Sequence, residues 1–143
     1  MNKKIVFIPI VVIFVVVFAI ILSNEKNEDD NILFHVTLAD PNLYVNGTYS
    51  KILSIEKGEY SFRFVPNGSS PEILSITLNG NAFDFSEDYD LVGISHQTGI
   101  SEYFTWEYRG QKNILISEIQ EISITINPNG NTMGSVSVYI VEN

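Results

Sequence analysis

An unbroken apolar run near the start constrains this chain more than any other feature. It opens on Ile5, closes on Leu22 and holds 18 residues without one polar side chain. At about 1.5 Å per residue a helix of that length spans roughly 27 Å, close to the ~30 Å hydrocarbon core of a bilayer. Sixteen of the 18 are Ile, Val, Phe or Leu, each favouring insertion by about 0.3–0.6 kcal/mol at a helix centre. Many are β-branched, which in water favours a strand. In lipid that preference is overruled, because every backbone N–H and C=O must be bonded within the segment. Pro9 lies about one turn inside, where the missing N–H costs least.

Charge sets the direction. Lys3 and Lys4 precede the run, and Glu25, Lys26, Glu28, Asp29 and Asp30 follow it. The lysine bias predicts a cytoplasmic N-terminus and an extracytoplasmic remainder. A cleaved signal peptide is the competing reading. Its apolar region is usually shorter, about 7–15 residues, and ends in a small-x-small site. Here only Ile21, Leu22 and Ser23 offer a weak one, which favours an uncleaved anchor. The expected organisation is a cytoplasmic segment 1–4, a transmembrane anchor 5–23, a polar stalk 24–31 and one extracytoplasmic domain 32–143, with membrane lipid as the partner of the anchor.

The net charge is −9. Setting aside Lys3 and Lys4, six basic residues face 17 acidic ones, a balance of −11. That argues against nucleic acid as a partner, since phosphates need a basic surface, and against lying on an anionic lipid face. The chain has no cysteine, which removes disulfide support, thiol catalysis and thiolate metal sites. Stability must come from packing, and 112 residues from Ile32 on are enough for one core.

From Ile32 the apolar pattern has a period of two. The clearest case sets Tyr60, Phe62 and Phe64 against Glu59, Ser61 and Arg63. Similar runs fall at 32–38, 49–55, 73–78, 82–85, 89–94, 103–108, 114–116, 121–127 and 135–141, separated by Asn-Gly, Pro and Gly turn signals. Nine to eleven short strands at that spacing predict an all-β fold, an antiparallel β-sandwich of jelly-roll or immunoglobulin-like topology, behind a single N-terminal transmembrane helix.

Candidate sites are few. Asn46-Gly47-Thr48 and Asn67-Gly68-Ser69 match the N-glycosylation sequon, and Asn-Gly is also favoured turn chemistry. Asp84, Glu87, Asp88 and Asp90 read as one acidic loop that could offer oxygens to Ca²⁺, without the EF-hand spacing. Asn127, Asn129 and Asn131 copy an alternating ligand pattern with neutral groups, which suits a turn better. Tyr103, Phe104 and Tyr108 surround the only tryptophan, Trp106. On a strand Phe104, Trp106 and Tyr108 share a face, and large aromatics ordinarily fill a core. Exposed, Trp106 with Tyr103 and Tyr108 would form a stacking surface for a sugar or another small ligand. His35 and His96 lack partners at metal-ligand spacing. Gly93-Ile94-Ser95-His96-Gln97 breaks the nucleophile-elbow pattern at its last position. No cofactor motif is present.

The stretches Gly58-Glu59-Tyr60-Ser61-Phe62-Arg63-Phe64-Val65-Pro66-Asn67-Gly68 and Gly130-Asn131-Thr132-Met133-Gly134-Ser135-Val136-Ser137-Val138 resemble uncharacterised membrane-anchored β-sandwich surface proteins of archaea. The resemblance implies location and fold more than activity. Archaeal pilins also join an apolar helix to a β head, but here Lys4 runs straight into Ile5 without the usual small residue at the processing site. The expectation is a non-enzymatic surface protein acting in recognition or as an accessory subunit of an envelope assembly. A glycan or small-ligand module is the alternative, and an enzyme is third.

Overall fold

The computed structural model describes residues 31–143. The anchor expected over 5–22, its flanking lysines and the spacer up to residue 30 lie outside the described residues. Ile32–Asn143 is one compact unit, and among the described residues no helix is long and apolar enough to cross a membrane.

Among the described residues nine strands follow in order: β1 (Ile32–Leu38), β2 (Tyr49–Ile55), β3 (Gly58–Pro66), β4 (Ile73–Gly80), β5 (Asp84–Thr98), β6 (Ser101–Arg109), β7 (Asn113–Ile116), β8 (Gln120–Asn127) and β9 (Val136–Glu142). A 3-10 turn at Pro41–Leu43, with Pro at its start and the Asp40 side chain accepting from the Asn42 N–H, links β1 to β2. All pairings are antiparallel, in a four-stranded sheet β1-β9-β3-β7 and a five-stranded sheet β2-β8-β4-β5-β6. The result is β-sandwich-like. Alternate side chains of each sheet point into a shared core, among them Phe34, Phe62, Leu74, Ile76, Ile124 and Val138. That is the consequence of period two on a pleated strand. Aromatic contacts tie the layers together: Phe62 of β3 lies 5.8 Å from Phe85 of β5, and Phe64 lies 4.7 Å from Tyr89.

Residues 84–90 are not a loop. They belong to β5, a single 15-residue strand that replaces the two short strands expected at 82–85 and 89–94. Val45 pairs only with Thr48 across a tight turn whose central Asn46 and Gly47 have φ of 53° and 83°, as a two-residue primed hairpin turn requires.

The chain changes sheets between β6 and β7. Gly110, with φ of 155°, sits at that corner, and an added Cβ would lie 2.7 Å from the Tyr89 ring. The sandwich has two poles. β1 starts at the lower pole, where Ile32 pairs with Val141 near the end of β9. Leu38, Pro66, Ile73 and Asn127 mark the upper pole, together with the loops 39–48, 67–72 and 128–135.

Three of the four strands at the sheet margins are protected in the ways natural sheets use. β1 carries a register shift between Ile32 and Phe34. β7 has four residues. β2 turns Lys51 toward the interior side, with its ammonium 5.8 Å from the Phe34 ring centroid.

Candidate functional site

One element leaves the sandwich. β4 begins with Ile73 opposite Asp90, so β5 beyond Asp90 runs on without a β4 strand partner, apart from one bond from the Leu91 N–H to the Glu72 carbonyl at 2.8 Å. β6 pairs with this overhang residue for residue, from Asp90 with Arg109 to Thr98 with Ser101. At about 3.4 Å per residue, the two strands form an arm that extends roughly 25 Å past the upper pole. Gly99, with φ of 58°, makes the turn. That is the first central position of a two-residue hairpin loop, where glycine avoids the steric cost of positive φ. The Thr98 and Ser101 hydroxyls bond across the turn at 2.6 Å.

The arm keeps apolar groups in water. Ile100 at its tip is fully exposed, and Tyr103 and Phe104 are 51% and 52% exposed. Phe104 and Trp106 lie on the face continuous with the core, stacked with centroids 6.2 Å apart. Trp106 is 38% exposed. It packs over two glycines: a Cβ on Gly93, its cross-strand partner, would lie 3.0 Å from the indole, and one on Gly68 of the β3–β4 loop 3.1 Å from it. Ser95 on this same face donates to the Glu102 carboxylate. On the opposite face Tyr103 stacks on His96, with centroids 4.8 Å apart, and His96 Nε2 shares a 2.8 Å hydrogen bond with the Thr105 hydroxyl.

The three residues offered as an alternative stacking surface, Trp106, Tyr103 and Tyr108, are therefore separated. Tyr103 is on the far face of the arm from Trp106, because odd and even positions of a strand point to opposite sides. Tyr108 is no ligand residue. It is 1% exposed and donates from its hydroxyl to the Pro71 carbonyl at 2.5 Å. Burial, with the Tyr44 phenol nearby, pushes its pKa well above the ordinary value. Sequence reasoning favoured the core for Phe104, Trp106 and Tyr108 alike; Tyr108 lies there, while Phe104 and Trp106 are partly in the open. The one signal for this was Gly93 opposite an aromatic, a position where a ring covers a strand glycine.

The acidic residues do not converge. Asp84, Asp88 and Asp90 lie on the outer face of β5, and Asp84 accepts from the Asn79 amide at 3.0 Å. Glu87 lies on the inner side and accepts from the Gln111 N–H at 2.9 Å. Among the described residues no three His, Asp or Glu side chains are placed to hold a metal ion. Asn129 and Asn131 are committed to their loop: the Asn129 amide donates to Ser75 Oγ at 3.0 Å, and the Asn131 amide to the Ser69 carbonyl at 3.2 Å. His35 stacks on Tyr139 at 4.2 Å, and the Arg63 guanidinium lies 4.8 Å from the same ring. Ser95 and His96, neighbours on a strand, point to opposite faces and do not meet. Asn46 stands exposed at its turn, while Asn67 Oδ1 accepts from the Ser69 N–H and hydroxyl at 2.8 and 2.6 Å.

No protein-family model, no curated protein and no solved structure matches this chain.

Proposed function

We propose that this chain is a single-pass membrane protein whose extracytoplasmic β-sandwich serves in surface recognition, with the β5–β6 arm as its contact element. The observation that carries this is the placement of the arm. It leaves the pole opposite Ile32, where the spacer joins the domain, and it exposes Ile100, Tyr103, Phe104 and Trp106 on a strand pair that packs against little else. Isolated two-stranded hairpins are marginal in water, so maintaining one with aromatic side chains in solvent is a cost that contact with a partner offsets.

Topology supports the same reading. The order β1-β9-β3-β7 facing β2-β8-β4-β5 is that of an eight-stranded jelly roll. β6 and the outer half of β5 are additions to it, inserted between two strands of the roll. Function commonly resides in such additions and not in the scaffold. The half-exposed Phe104 and Trp106 favour a second reading, in which that face stacks on a pyranose ring. Titration of the full chain with oligosaccharides, read by Trp106 fluorescence, separates the two.

The address has its own test. The chain has no native cysteine, so Ile100→Cys places a single thiol at the arm tip. In intact cells a membrane-impermeant maleimide should label it fully. Labelling only after lysis would overturn the proposed location. For the recognition role, the double variant Phe104→Ser/Trp106→Ser should keep its melting transition and lose partner capture. Unchanged capture would remove the arm from the function.

A further inference from the structure

Resting on the recognition reading, we propose that the occupant of the β6 edge is a second copy of this chain, paired antiparallel so that the two copies bridge opposing surfaces. The first ground is contrast. β1, β2 and β7 are blunted by a register shift, an inward lysine and short length. β6 is nine residues long, pairs with β5 without a shift, and contains neither Lys nor Pro in Ser101–Arg109. Its outer margin presents a row of open N–H and C=O groups, the template on which another strand adds. The other margin of the arm is less suited, since its base is already engaged by Glu72 and its middle is Gly93.

The second ground is the charge pattern. A two-fold axis perpendicular to the sheet keeps side-chain faces matched, and centring it on Thr105 pairs all nine residues of β6 with their symmetry mates. Thr105 then faces Thr105 of the second copy, Phe104 faces Trp106, Tyr103 faces Glu107 and Ser101 faces Arg109. Glu102 faces the Tyr108 position. No carboxylate opposes a carboxylate, although from residue 31 on the chain has 13 acidic and five basic residues. Moving the centre to Glu102 or Glu107 would set two carboxylates face to face, which is destabilising. In the Thr105 register four aromatic rings gather on one face, where such cross-strand pairs are favourable.

Direction follows from antiparallel pairing. Each arm points away from the pole that holds Ile32, so in the pair the two Ile32 attachment points lie at opposite ends. Two copies on one membrane would not be disposed this way, whereas copies on facing membranes would. The interaction is a homophilic tether between surfaces.

The test uses the full chain in two populations of liposomes, each with its own epitope tag. Thr105→Cys should form a disulfide between populations under mild oxidation, since directly opposed Cβ atoms lie about 4.5–5.5 Å apart. Tyr103→Cys and Glu107→Cys should each fail alone and cross-link when mixed. Thr105→Lys, which sets two ammonium groups together on the axis, should lower vesicle clustering at least tenfold with an unchanged melting transition. Added salt should strengthen clustering by screening two acidic bodies. Cross-links confined to one population, equal self-linking at all three positions, or clustering indifferent to Thr105→Lys would each overturn the proposal. If these fail while the Ile100→Cys label and the Phe104→Ser/Trp106→Ser loss hold, the arm still recognises a partner, and that partner is not a second copy.

Discussion

Gly110→Ala should be more damaging than Gly47→Ala, although both glycines hold a positive φ. Gly110 has φ of 155° at the corner where the chain passes from one sheet to the other, and the new Cβ would stand 2.7 Å from Tyr89 Cδ1 and 3.0 Å from Glu87 Oε1. Tyr89 cannot give way. It is fully buried, its ring lies 5.9 Å from Phe62 and 4.7 Å from Phe64, and its hydroxyl donates to the Gln111 carbonyl at 2.5 Å. Overpacking of this kind costs about 1–3 kcal/mol, and a side chain held at positive φ adds about 1–3 kcal/mol. A loss of about 3 kcal/mol corresponds to a drop in Tm of roughly 12 °C for a domain of this size. Gly47→Ala is the control, because Gly47 has φ of 83° but nothing within 4 Å of the added Cβ. It should lose about 1–2 kcal/mol from backbone strain alone. Urea and thermal unfolding followed by near-UV circular dichroism measure both. A Gly110→Ala protein no less stable than Gly47→Ala would refute the steric reasoning and the rigidity assigned to Tyr89.

Alkaline pH gives another test. Burial raises the pKa of Tyr89, with the Glu87 carboxylate adding to the effect, and that of Tyr108. Stability from these phenols is therefore full below the unfolded value of about 10 and falls as pH rises above it, by about 1.4 kcal/mol per pH unit for each. Urea midpoints at pH 9, 10 and 11 should show the decline, and Tyr108→Phe should make it shallower; the same slope in that variant would contradict the assignment. Lys51→Val should leave the melting temperature nearly unchanged and raise light scattering on concentration, because it removes the inward charge that guards β2. Equal scattering in both proteins would show that Lys51 is not a guard. Gly93→Ala presses on Trp106, which has room to lift, so stability should change by less than about 1 kcal/mol while acrylamide quenching of the indole rises; unchanged quenching would mean the ring does not rest on Gly93.

Most strands were legible because alternation survives folding whenever one face is buried. Tyr60, Phe62 and Phe64 do point away from Glu59, Ser61 and Arg63, and Ile122, Ile124 and Ile126 are all buried. β5 was split because carboxylates crowd positions 84–90. Phe85, Tyr89 and Leu91 carried the period through that stretch, and charge density masked it. The arm was not legible, because a period of two marks which residues share a face and not what covers that face. Tyr108 and Phe104 share a face of β6, yet one lies under Pro71 and the other sits on the arm, past the point where β4 begins. That difference depends on where β4 starts relative to β5, a register that side-chain pattern alone does not set.

The corner at Gly110 and the opposed poles also decide how the domain would bear a pull. A force applied at the arm and resisted at Ile32 runs along the strand axes, at right angles to the ladder bonds that join β1 to β9 and β4 to β5. Those bonds are strained together, sideways, and must fail as a group. None can be unzipped one after another from a free end. The domain is built to be tugged lengthwise.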